Sequence, residues 1–184
     1  MSGVAKRWAS IEAWLTAEYP KGLGHFNPPA SAQTISAAEC ALGVTLPADY
    51  KAFLRIHNGQ RELAPMVGPG SLFAVEEIAA ARALIFDEPT PINTKKFAVA
   101  AGVQPLTYCE QWIPISRSSS MRGYLCIDLA PAAGGVVGQI IKYASDHQAR
   151  PLVAASFADL LSMYLTQVQT GEIDLRKMEE WEDD

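Results

Sequence analysis

A chain of 184 residues with 49% hydrophobic residues is long enough for one domain with a full core. It has no apolar run near the ~20 residues that span a bilayer and no signal-peptide core, so neither membrane insertion nor secretion is expected. The net charge of −5 resides in Glu172 to Asp184, with seven acids against two bases; the rest is formally neutral and shows no basic stripe for direct nucleic-acid binding.

The first predicted helix runs from Val4 to Tyr19, with Val4, Trp8, Ile11 and Leu15 on one face. Gly22 to Pro29 reads as a loop. A second helix, starting between Ser31 and Thr34, carries Ile35, Ala38 and Leu42 and is capped by Gly43. A third follows, with Pro47 at its first position, Asp49 in its first turn, and Tyr50, Phe53 and Leu54 on its face. Asn58-Gly59 supplies the left-handed residue expected to end it. Arg61 to Gly70 reads as a long loop, and Val75 to Phe86 as a fourth helix with Val75, Ile78 and Ala79 inward. Glu88 to Gln104 matches no regular period.

The period then changes. Trp112 to Ile115 is a predicted strand, placed at a sheet edge by Pro114. After a Ser-rich turn over Arg117 to Arg122, Gly123 to Leu129 is a strand with Leu125, Ile127 and Leu129 on one face, and Gly138 to Tyr143 is another, with a turn over Pro131 to Gly135 between them. Leu152 to Ala154 is short and extended. Ser156 and Asp159 form a capping-box pair before a helix through Phe157, Leu160, Leu161, Tyr164, Leu165 and Val168, ending at Gly171. The expected fold is α+β: N-terminal helices, a small antiparallel meander and a closing helix, forming one domain over 1–171 with an acidic tail over 172–184.

The search for chemistry yields scaffold. His25, His57 and His147 are isolated, and no metal-binding spacing occurs. Ser116, Ser118, Ser119 and Ser120 lie in a turn without a nucleophile elbow. Cys40, Cys109 and Cys126 show no paired spacing and read as small buried hydrophobes in a reducing compartment, which points to the cytoplasm. Asp128 ends a strand where an aspartate bonds the turn backbone. Trp112 is a core anchor or a partner-binding aromatic, its apolar strand favouring core. The acidic tail, with Trp181 inside it, is a solubilising end or an arm for a basic partner. No catalytic residue, metal or cofactor is expected.

The segment Leu42-Gly43-x-x-Leu46-Pro47-x-Asp49-Tyr50-x-x-Phe53-Leu54-x-x-x-Asn58-Gly59 resembles the signature of the SUKH superfamily, the Smi/Knr-like proteins. Trp112 to Ile115, Gly123 to Leu129, Gly138 to Ile141 and Ser156-Phe157-x-x-Leu160-Leu161 resemble its later motifs in the same order. The resemblance implies a non-catalytic binding protein. Many bacterial members are immunity proteins that neutralise secreted toxins by binding, and fungal relatives regulate cell-wall assembly and signalling. It implies mainly structural roles for Leu46, Pro47, Asn58, Gly59, Trp112, Asp128, Gly138, Ser156 and Phe157. The leading expectation is an immunity protein whose acids, Glu76, Glu77, Asp87, Glu88, Glu179, Glu180 and Glu182, meet a toxin domain such as a basic nuclease. The alternative is a scaffold or regulator of cell-wall assembly.

Overall fold

The computed structural model describes residues 3–61, 67, 70–85, 87–118 and 122–175. Helix α1 spans Gly3–Glu18, α2 Ala32–Leu42, α3 Ala48–Leu54 and α4 Ile78–Leu84. Strands β1 (Gly70–Leu72), β2 (Trp112–Ser118), β3 (Gly123–Asp128), β4 (Gln139–Ala144) and β5 (Leu152–Ala154) form one antiparallel sheet in the order β1-β2-β3-β4-β5. Helix α5, Phe157–Thr170, closes the fold. This is the expected α+β architecture.

Local chemistry explains most element ends. Ser31 accepts the Thr34 N–H at the start of α2, and Gly43, at φ +66°, ends it in the left-handed conformation. Ser156 caps α5 in the same way, accepting the Asp159 N–H, and its hydroxyl also donates to the Asp159 carboxylate. Gly171, at φ +74°, terminates α5. Beyond it, Ile173 and Leu175 pack against the helical core.

Several expectations need correction. The stretch expected as a loop from Gly22 begins within a 3-10 turn over Pro20–His25. Pro47 is the N-cap of α3, one place before its first turn. That helix stops at Leu54, so Asn58-Gly59 does not end it. The fourth helix begins with a 3-10 turn over Val75–Glu77, and Ala81 is buried on it while Ala79 is half-buried. β2 is an interior strand; β1 pairs only with its Ser116–Ser118 end, so Pro114 sits where no neighbour requires an N–H, beside a bulge. Cys40 is exposed rather than buried, because it lies on the solvent side of α2.

The sheet is buried on both faces. Ile113, Ile115, Leu125, Ile127 and Ile140 meet α1, α3 and α5 in the main core. On the reverse, Trp112, Tyr124, Cys126, Ile141 and Tyr143 are covered by Ile85, Val103 and Tyr108. Strict alternation on β3 therefore cannot mean half-exposure, and every one of its residues is buried. Apart from Ile85 at the end of α4, the cover is the segment 87–111, here called the strap. It is irregular yet anchored: the Ile92 N–H donates to the Pro105 carbonyl, Thr107 N–H to Thr90, and Ala100 N–H to Arg150.

Candidate functional site

The residues of the Leu42–Gly59 segment act as joints between elements. The Leu46 N–H donates to Glu39 Oε1 at 2.8 Å, and the Leu46 side chain is buried. The Cβ of a residue replacing Gly138 would stand 3.3 Å from Pro47 Cγ, so two distant motif positions pack directly on one another. Asn58 joins three segments: Oδ1 accepts the Val75 N–H, Nδ2 donates to Glu76, and its carbonyl accepts from the Asn27 amide. Gly59, at φ +67°, passes so close to the Phe73 carbonyl that no side chain fits. Asp49 does more than its place in α3 suggests, since Oδ2 accepts the Ala158 N–H in the first turn of α5. Phe157 lies 4.9 Å from the Tyr50 ring and 5.0 Å from Phe53.

His57 belongs to the same cluster. Its Nδ1 lies 3.0 Å from the Asn27 carbonyl and its Nε2 3.3 Å from Glu12, while its ring packs against Trp8 and Phe26. This is a packed histidine tying α1 to two loops.

The strap side holds the two buried charged groups that stand out chemically. Asp128 is wholly buried; burial pushes its carboxyl up, opposed by bonds from the Gln139 amide and the Ala130 N–H. Gln139 is fixed in orientation, because Oε1 accepts the Val136 N–H while Nε2 donates both to Asp128 and to the Gly102 carbonyl of the strap. Asp128→Asn places an amide against the Gln139 amide, so we expect a loss of about 2 kcal/mol by denaturant melts. Because burial raises the folded-state pKa of Asp128, ionising it costs stability. The advantage of Asp over Asn should therefore be larger near about pH 4 and shrink toward about pH 7.

Arg150 is the second group. It is 2% exposed. Its Nη1 donates to the His147 and Ala149 carbonyls at 2.7 and 2.9 Å, and Nη2 to the Thr107 carbonyl at 2.6 Å. The guanidinium lies 4.7 Å from the Tyr143 ring and 5.7 Å from Trp112. Trp112 itself is fully buried, a floor beneath the strap. Sequence reasoning missed Arg150 and Gln139, since neither belongs to a spacing pattern; only the fold shows that both grip the strap.

The acids singled out in the sequence do not gather into one site. Glu76 and Glu77 are exposed before α4, where Glu77 accepts the Ala74 N–H and Glu76 the Asn58 amide. Asp87 and Glu88 lie beyond the far end of that helix. Glu179, Glu180 and Glu182 lie outside the described residues, as do Ser119 and Ser120. Among the described residues no group of three His, Cys, Asp or Glu could hold a metal ion, and no helix is long and apolar enough to cross a membrane. Burial pushes the Cys126 thiol far up, leaving it unreactive.

Comparison with known proteins places this geometry. The sequence profile of the SMI1 / KNR4 family (SUKH-1) matches residues 29–163. The cell wall biosynthesis/cell cycle regulator smi1 of Schizosaccharomyces pombe is 27% identical over 92% of this chain and 37% of its own length. The glucan synthesis regulatory protein of Neurospora crassa is 25% identical over 91% of this chain and 39% of its own. F-box only protein 3 of Mus musculus is 23% identical over 92% of this chain and 35% of its own. The chain thus spans less than two fifths of these relatives. The fungal pair agrees with the cell-wall-regulator expectation and lends toxin immunity no support. Over most of its length the chain belongs to the SMI1 / KNR4 family (SUKH-1).

Proposed function

We propose that this chain is a non-catalytic, cytoplasmic protein-binding module acting in the regulation of cell-wall assembly, with the strap as its partner surface. The supporting observation is the extent of the likeness. Nearly all of this chain matches regulators more than twice its length, and the same span matches part of an F-box protein. A unit shared by such different proteins suits recognition better than a single reaction. The strap is long and irregular, yet its middle and C-terminal end are tied to the sheet and its flanking turns, a favourable platform for a binding loop.

Affinity capture from the native host tests this. Lys95 and Lys96 are exposed on the strap, and Lys6 is exposed on α1. Lys95→Glu with Lys96→Glu should abolish recovery of cell-wall-synthesis or signalling partners, whereas Lys6→Glu should not. Equal recovery by both variants refutes the strap assignment. A single partner encoded beside this chain and toxic without it would restore the immunity reading.

A further inference from the structure

A cavity of about 280 Å³ opens between the strap and the end of β4, lined by Asp87, Phe97, Thr107, Tyr143, His147 and Arg150. Arg150 is its chemically distinctive wall. A guanidinium carries five N–H donors and stays charged in proteins. Three of those donors are taken by carbonyls. Two remain, on Nε and Nη2, the nitrogens that share one edge of the planar fork. Nε has no acceptor, and no described carboxylate pairs with Arg150. Carbonyls and aromatic faces compensate a buried cation only in part, so the charge beside this cavity lacks a counter-ion among the described residues.

We infer that the cavity beside Arg150 receives a carboxylate, presented by an acidic side chain of the partner protein. A carboxylate bridges two N–H groups on one guanidinium edge. The rim selects against more highly charged anions. Asp87 and Asp146 are both exposed there; Asp146 sits 3.4 Å from Arg122, but Asp87 makes no ion pair among the described residues. A phosphate dianion would meet that carboxylate at greater cost than a single negative charge.

The inference rests on the protein-binding reading above, and its test is independent of partner capture. The full chain, isotope-labelled, is titrated with a blocked glutamyl tripeptide while the Arg150 Nε–H signal, assigned through its own side chain, is followed by NMR. A saturable shift is expected, absent with the glutaminyl counterpart and with chloride at equal ionic strength. Asp87→Asn should lower the half-saturation concentration several-fold. Acetate should require a higher concentration than the peptide; equal potency overturns the assignment to a protein side chain. No shift, the same shift with the glutaminyl peptide or chloride, or no effect of Asp87→Asn overturns the carboxylate site. A silent Nε–H with strap-dependent capture intact removes this site alone. A saturable shift with capture indifferent to the strap leaves the site and removes the strap assignment.

Discussion

Gly59→Ala should destabilise the fold by at least about 3 kcal/mol, lowering the melting temperature by on the order of 10 °C. Two costs combine. The residue sits at φ +67°, where a side chain costs about 1 kcal/mol or more. Its Cβ would also fall on the Phe73 carbonyl and within 2.6 Å of the Ala74 nitrogen, so the backbone must shift. That shift disturbs the neighbouring Gln60 and Asn58 bonds, which hold β1 and the start of α4. Gly43 is the matched control. It has nearly the same φ, +66°, but nothing lies within 4 Å of a Cβ there. Gly43→Ala should therefore cost only about 1 kcal/mol. Thermal melts of the two variants separate backbone strain from close approach. Equal losses would show that the Gly59–Phe73 contact is unimportant.

Trp112→Ala should cost about 3–5 kcal/mol, the usual range for a fully buried aromatic. Its effect should also be directional. The indole supports the reverse face of the sheet and one face of the Arg150 cation, so its removal loosens the strap first. Hydrogen exchange should show early loss of protection at Ala100 and Val103, whose N–H groups bond Arg150 and Ala100 carbonyls. Amides of α5, supported by the other core, should lose protection only with global unfolding. A cost below about 1 kcal/mol, or uniform loss across both halves, would contradict the two-core description.

The difference between legible and illegible parts has a physical basis. Helices α2 and α5 announced themselves because serine caps, apolar spacing and terminal glycines are local signals. β3 is legible as a strand with one apolar face through Leu125 and Ile127, but the burial of Tyr124 on its other face is not, because the strap that covers it comes from elsewhere in the chain. The role of Gly59 is illegible for a similar reason: a left-handed glycine after a helix resembles a cap, and only the tertiary fold brings Phe73 against it. Pro114 misled because pairing along β2 changes midway, which no single residue reveals. The strap and its grips lay beyond local reasoning altogether. Arg150 reaches the Thr107 carbonyl, and Gln139 the Gly102 carbonyl, by bonds that depend on the assembled sheet.

The Leu42–Gly59 motif assembles the scaffold, and the strap is the surface we propose to face the partner. Site-specific photo-crosslinking in the native host tests that division most directly. A photo-reactive residue is placed at Lys95 on the strap, or at Lys6 on α1 as the control, both exposed. A discrete crosslinked partner from the strap position and none from α1 is the predicted result. A partner trapped at Lys6 but not at Lys95 would contradict it and move the binding surface to the helical side.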